Sequence, residues 1–599
     1  MNEQTDSWFS PASPPPDWDP AQADPNRYTD PAVQQVRYRR PVGTQHFHGH
    51  PDLAATPTGG QMPAPAVQSA PAAVVPGTES DRYEGQFEYE GVDERYESPV
   101  AEKAAYEIPE TPETGWSAAP SRRRRWIGRI LLLGVLAMQA LLSLRLGDSA
   151  SAEESINLVV GRQEYAHLVD GTAVTTDLVD RVPGAASLYP VLAGAADELH
   201  GLAGARLLSL LFALVATTLL YSLTRRMFNE RVASSGAAAY AVLQSTVVTG
   251  YYASPDALAL MLVALAAWIV VYTDRTPALA VLAAAPVAAL AAAVNHTAVL
   301  VLPTLLLLAV HTAWPYKGPA KGILRGVLLG IGTAAPLVVT GVLTDISDGT
   351  LSRGQGSESA LDILNTSAQW SGLFLLLACG GTFAWVRRER MNEAVDMDSV
   401  PGSPLRRAAL GLTLCATAAL VPLLQAQLHT SVGMFRHIAF GLLLAAPMAG
   451  LGITRMIGAH FRHPQLGILA WVLMLALGIS QSADRSESWA SSGNLAEVLR
   501  SHVDTEGTYL TEVDGLPQYY LDSVTDAGQW VSLRGGQGDE VRKGRYGLIV
   551  LDTGSSGAAA ARDKAVTDAI RAGGHYRLIA QLPHRDTGKA GVYRVYVKQ

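Results

Sequence analysis

Cysteine is almost absent from this chain of 599 residues. Its two thiols, Cys379 and Cys415, both sit inside apolar runs, and no CxxC spacing exists. They read as buried thiols rather than as a disulfide or a metal site. Charge is scarce as well, at 17% of residues, and the mean hydropathy is positive at +0.14. The net charge of −8 comes largely from two polar flanking regions, so it gives no ground for a nucleic-acid partner. Residues 1–120 hold no apolar run that would serve as a cleavable signal, which leaves the first apolar segment to act as an uncleaved signal-anchor. A nucleotide-binding fingerprint is missing too, since RGGQGDE lacks the GxGxxG spacing and the strand–helix context.

What the chain does have is a train of apolar runs between two soluble ends. Residues 1–120 read as a disordered Pro-rich and acidic tail: PASPPPDWDP and QMPAPAVQSAPAAVVPG cannot form a packed core, and 79–113 is acidic with scattered tyrosines. HFHGH at 46–50 has the donors for weak metal chelation, but in a tail of this composition the reading preferred is a solvated polar stretch. From 121 to 482 the apolar runs approach the roughly 20 residues that cross a hydrocarbon core. They resolve into about eleven spans, at 126–146, 203–223, 232–250, 255–272, 277–294, 297–313, 323–343, 369–386, 407–427, 437–456 and 464–482.

Arg122, Arg123, Arg124 and Arg125 stand directly before the first span and place that end in the cytoplasm. With that orientation the cytoplasmic connections collect Arg225, Arg226, Arg231, Arg275, Lys317, Lys321, Arg325, Arg387, Arg388, Arg390, Arg406, Arg407, Arg455 and Arg462. The short outward connections hold almost nothing basic except Arg353 and Arg436. Two outer loops follow, 147–202 and 344–368, and the C-terminal region 483–599 also faces outward. In that region GTYLTEV, YGLIVLD, YRLIAQL and GVYRVYV read as strands, and 493–503 and 557–573 have helical periodicity. The fold class expected is a polytopic α-helical membrane bundle with a disordered N-terminal tail and a small extracytoplasmic α/β domain.

Ionisable residues at a membrane edge are costly and therefore candidates for function. Glu153 and Glu154 follow the first span by one or two turns. Asp256 opens the fourth span behind Pro255, where an acid also suits the helix dipole. Asp148 and Asp177 read as solvated loop charges. Arg206 lies at the outer end of the second span, and Arg436 and His437 at that of the tenth; His296 fits a snorkelling interface residue. Arg436 departs from the positive-inside pattern. A phosphate at the outer surface would account for it, because a guanidinium binds phosphate oxygens bidentately. Carboxylates beside the outer end of a bundle, with cations on neighbouring helix ends, suit transfer of a group from a lipid phosphate to a hydroxyl. Without a nucleotide fold, an activated sugar has to arrive on a lipid.

EESINLVVGRQEYAHLVDG, SLYPVLAGAADELHGLAGARLLSLLFALVATTLLYSLTRRMFNERVA and YYASPDALALMLVALAAWIVV resemble the N-terminal half of the GT-C glycosyltransferases. The nearest type is the protein O-mannosyltransferase and aminoarabinose-transferase group, family 39, in its actinobacterial form, and the resemblance covers roughly 126–460. It implies a GT-C-like bundle, a polyprenyl-phosphate sugar donor, and an acidic pair in the first outer loop that falls on Glu153 and Glu154. Asp256-Ala257 resembles a later acid-plus-alanine motif, and Arg436 with His437 the Arg-Tyr start of a late span. The sequence departs from the pattern at Glu153, where aspartate is usual, and at Asn157, Ala186 or Ser187, and His437. A glutamate base reaches about one methylene further than aspartate, and positioning is sensitive to such shifts.

These readings converge on a multi-pass plasma-membrane glycosyltransferase with a cytoplasmic N-terminus. It would move a sugar from a polyprenyl-phosphate donor to a hydroxyl of a protein, lipid or glycan. Glu153 is expected as general base, Glu154 and Asp256 as groups orienting the acceptor or a metal, and Arg206, Arg436 and His437 at the donor phosphate. No His/Asp ligand spacing marks a metal site, although the paired acids would accept a divalent ion. The rival reading is a catalytically impaired membrane scaffold for envelope assembly.

Overall fold

The computed structural model describes residues 122–599 apart from 147–148, 176, 183–186, 343–357, 388–403, 459–462, 488–491, 555–557 and 587–588. The tail expected at 1–120, its HFHGH stretch, and most of the loop 344–368 lie outside the described residues.

Helices dominate up to residue 487. The first span is α1 (Arg122–Leu144). The segment expected as the first outer loop then folds into α2 (Ala152–Asp170), a 3₁₀ turn at Asp177–Arg181, and the opening turns of the long helix α3 (Leu188–Met227). α3 bends at His200 and at Gly201, whose φ of 64° glycine adopts without strain, so its apolar stretch begins just where the second span is expected. α2 lies tight against the start of α3, and a Cβ added at Gly161 would fall 1.9 Å from the Pro190 carbonyl oxygen.

The chain continues through α4 (Glu230–Ala241), α5 (Gln244–Thr249), α6 (Pro255–Tyr272) and α7 (Ala285–Val294), the last preceded by a 3₁₀ segment at Ala278–Ala284. α8 (Leu302–Lys317) extends a 3₁₀ turn at His296–Val301 and leads to α9 (Pro319–Val339). Four long helices complete the bundle: α10 (Ala360–Val386), α11 (Pro404–Leu428), α12 (Met434–Ile457) and α13 (Pro464–Glu487).

Among the described residues nine helices are long and apolar enough to cross a membrane. The two other stretches expected as spans, 232–250 and 277–294, are built from shorter pieces. The first breaks between α4 and α5, where Leu243 is extended with ψ 139°, and the second begins as 3₁₀ helix. α12 is the axis of the bundle, with 89% of its apolar window buried, and it packs against α4, α10 and α11. Peripheral helices instead expose leucine, isoleucine and valine, among them Leu133, Val339, Leu376 and Ile468. Contiguous apolar surface of this kind is what a bilayer covers.

The remainder is a five-stranded sheet flanked by helices. Its elements are α14 (Gly493–Arg500), β1 (Tyr509–Thr511), α15 (Leu516–Tyr520), β2 (Trp530–Ser532), α16 (Gly538–Arg542), β3 (Leu548–Asp552), α17 (Ala558–Gly573), β4 (Tyr576–Asp586) and β5 (Lys589–Lys598). The strand order is β2-β1-β3-β5-β4, with β1 parallel to β2 and β3, and β5 antiparallel to β3 and β4. Leu548 and Val550 face one core with Leu495 and Leu499, while Ile549 and Leu551 face the other with Val566 and Ile570. A strand buried on both faces reads as the unbroken apolar run LIVL rather than as an alternation.

Beyond the carboxyl end of β1, Glu512 accepts the Asp552 backbone N–H at 2.7 Å. Burial, then a side-chain hydrogen bond with Asp563, pushes its carboxyl up to about 8. The folded chain therefore holds a proton that the unfolded chain gives up near 4.5. That stabilisation is complete below the unfolded value and is lost as pH rises through the folded one. The thermal midpoint of the full chain is expected to fall between pH 5 and 8.5, and Glu512→Gln to flatten that slope. An unchanged slope in the variant would refute the assignment.

Candidate active site

The site begins with a helix start. Ser151 caps α2: its Oγ accepts the Glu154 N–H at 3.2 Å, and Glu154 Oε2 accepts the Ser151 N–H at 3.0 Å. This reciprocal capping box, written in the sequence as S-x-x-E, turns the Glu154 side chain back to the helix start and leaves Glu153 outside the cap.

Glu154 is fully buried and bound on both oxygens. Arg206 Nε donates to Oε1 and Nη2 to Oε2, each at 2.8 Å, and the Ala253 N–H donates to Oε1 at 2.9 Å. Arg206 also donates to the Tyr251 hydroxyl at 2.9 Å and the Ser149 carbonyl at 3.2 Å, and its guanidinium lies 4.6 Å from the centre of the Tyr251 ring. The sequence reading places Glu154 at the acceptor or a metal and Arg206 at the donor phosphate. In the structure they are each other's partners, because a buried carboxylate and a buried guanidinium both need neutralising.

Arg436 joins the other two acids. Its Nη1 donates to Asp256 Oδ2 at 2.6 Å and its Nη2 to Glu153 Oε2 at 2.7 Å, with the guanidinium 4.2 Å from the centre of the Tyr252 ring. Asp256 is buried and accepts three further contacts: Ser254 Oγ at 2.7 Å, Asn295 Nδ2 at 2.5 Å and His437 Nε2 at 3.3 Å. Glu153 differs, since its side chain is 50% exposed and Arg436 supplies its one hydrogen bond among the described residues. One arginine thus faces two carboxylates, with the His437 ring beside the buried one.

Glu153, Asp256, Arg436 and His437, read separately from the sequence, come together here. Ser254, Asn295, Tyr251 and Tyr252 were not anticipated. Ser254 and Pro255 start α6 with Ser254 extended, as an N-cap before proline should be, and this aims Asp256 at Arg436. The adjacent tyrosines lie one under each arginine. Asp177 is an exposed partner of Arg534. Among the described residues no three His, Cys, Asp or Glu side chains gather closely enough to hold a metal ion. Glu154 is engaged by Arg206, and Arg436 stands between Glu153 and Asp256, so the acids do not converge on a point where a divalent ion would sit.

Chemically, the arrangement offers a half-exposed carboxylate held at one oxygen by a guanidinium that it shares with a second, buried carboxylate. Such a carboxylate can accept a proton.

No curated protein matches the chain. Among solved structures the chain is similar to ArnT from Cupriavidus metallidurans, with 13% identity over 79% of this chain and 98% of that one, at a TM-score of 0.49. It is also similar to the Archaeoglobus fulgidus oligosaccharyltransferase, with 10% identity over 77% and 72% of the two chains (TM-score 0.46). A third is the arabinofuranosyltransferase AftD from Mycobacteria, with 14% identity over 79% and 40% (TM-score 0.44). Residues 198–339, which include Arg206 and Asp256, match the family model of the dolichyl-phosphate-mannose-protein mannosyltransferases. The resemblance to a lipid-linked-sugar glycosyltransferase that the residues carry is met by this match.

Proposed function

We propose that the chain transfers a sugar from a polyprenyl phosphate to an acceptor hydroxyl at the outer face of the plasma membrane. The observation that carries this reading is the half-exposed Glu153, held at one oxygen by Arg436 beside the buried Asp256. The family match over 198–339 supports the reaction class, and the placing of basic residues along the chain supports a cytoplasmic N-terminus.

In this reaction the acceptor oxygen bonds to the anomeric carbon as that carbon's bond to the phosphate oxygen breaks. The hydroxyl proton passes to Glu153, and the polyprenyl phosphate leaves with the electron pair. Arg436 faces the negative charge that develops there, and His437 lies next to it. Asp256 fixes the guanidinium, while Glu154 and Arg206 brace the helix start that presents Glu153.

The test compares wild-type membranes with Glu153→Gln, using radiolabelled polyprenyl-phosphate sugars of several kinds. Label is expected to move into protein, lipid or glycan with the wild type and to fall at least about 100-fold in the variant. Undiminished transfer by the variant would remove Glu153 from the role of base. Wild-type membranes that use no donor, with a variant that still supports normal growth, would favour the scaffold reading.

A further inference from the structure

Residues 149–151, which Ala152 separates from the acidic pair, are held from two sides. From the bundle, Arg206 donates to the Ser149 carbonyl, Glu154 accepts the Ser151 N–H, and the Tyr252 hydroxyl lies 2.6 Å from Ser151 Oγ. From the sheet domain, the Tyr520 hydroxyl accepts the Ala150 N–H at 2.6 Å, Ser492 Oγ donates to the Ala150 carbonyl at 2.7 Å, and the Ser492 N–H donates to Ser149 Oγ at 2.9 Å. Both polar groups of the Ala150 backbone are thus satisfied by the C-terminal domain, three residues before Glu153.

The same domain grips α2 along its length. Ala152, next to Glu153, packs against the core formed by Leu495, Tyr509 and Leu548. Gly515 sits on the second turn, so close that a Cβ there would lie 2.6 Å from the Ile156 nitrogen. Further on, Arg162 pairs with Asp522 and at 2.5 Å with Asp197, which also accepts the Tyr519 hydroxyl at 2.8 Å. The Arg162 guanidinium lies 4.8 Å from the centre of the Tyr519 ring.

We propose that the C-terminal domain positions Glu153, with Tyr520 and Ser492 setting the 149–151 turn from which α2 starts. The sheet domain becomes part of the catalytic apparatus, as a positioning element that contacts neither sugar nor phosphate. The role in transfer rests on the proposed function; the hold on the turn does not. A carboxylate base displaced by a fraction of an ångström loses rate while the binding groups stay in place.

The test uses the full chain in detergent and the variants Tyr520→Phe, which removes one hydroxyl, and Ser492→Ala. Transfer is expected to fall tenfold or more in kcat per folded protein, with the donor KM within twofold of wild type. Amides 149–156 should exchange with solvent at least tenfold faster. In a Glu153→Gln background Tyr520→Phe should lower the residual transfer no further, whereas a general loosening of the fold would act in both backgrounds. Unchanged kcat in both variants overturns the proposal. If the wild type transfers no sugar, the proposed function fails, and exchange alone decides: faster exchange at 149–156 keeps the domain as the holder of this turn, and unaltered exchange overturns that as well.

Discussion

Replacing Arg206 with methionine is expected to destabilise the full chain by about 3–5 kcal/mol, read as a lowered midpoint in denaturing detergent. The size follows from burial. Side-chain exposure is 3% for Arg206 and 0% for Glu154, so the variant leaves a carboxylate without its cation where water cannot solvate it. Glu154→Ala should cost a similar amount, since it strands the guanidinium and leaves the Ala253 N–H without its acceptor. The double variant Glu154→Gln with Arg206→Met should recover much of the loss. It removes both charges and keeps an amide oxygen to accept from Ala253. A double variant as unstable as the sum of Arg206→Met and Glu154→Gln measured singly would show that the pair does not act as a unit. Sugar transfer should fall in all three, because this pair braces the residue next to Glu153.

The parts of the chain that were legible in the sequence share one property: their signal is local. A run of apolar residues near 20 long marks a span wherever it lies, and LIVL marks a buried strand. The break between α4 and α5 has no such signal. The residues Ala241-Val242-Leu243-Gln244 include neither glycine nor proline, and the Trp471 indole reaching the Ala238 carbonyl is a contact across 233 positions. β2, at three residues, is too short for periodicity to show.

The site divides in the same way. Glu153 and Arg436 could be singled out because a charge at a membrane edge is conspicuous, and because Arg436 departs from the distribution of the other basic residues. The pairing of Glu154 with Arg206 could not be read, since 52 positions separate them and each is equally conspicuous alone. The S-x-x-E spacing at Ser151 is the signal that could have turned Glu154 back to the helix start. Asn295 and Ser254 are uncharged, and only the fold shows that they complete the shell of Asp256.

Arg436 carries the second large effect. It is 3% exposed and holds Asp256, itself 2% exposed, as well as Glu153. Arg436→Met is expected to lower transfer by about 100- to 1,000-fold, the range for loss of a preorganised group facing developing charge. It should also destabilise the chain by about 3–5 kcal/mol through the stranded Asp256. Arg436→Lys separates the two roles that the guanidinium combines. Lysine keeps the charge, but its ammonium is a point donor that cannot span two carboxylates in a plane above the Tyr252 ring. Stability should therefore be largely restored while transfer is not. If Arg436 meets the donor phosphate, the lysine variant raises the donor KM, and the rise is steeper for donors whose phosphate is altered. If Arg436 serves only to hold Glu153, kcat falls with the donor KM unmoved, and Arg436→Met combined with Asp256→Asn regains stability without transfer. A lysine variant with wild-type kcat and KM would contradict both roles, because a single positive charge would then suffice and the bridge between Glu153 and Asp256 would have no part in the reaction.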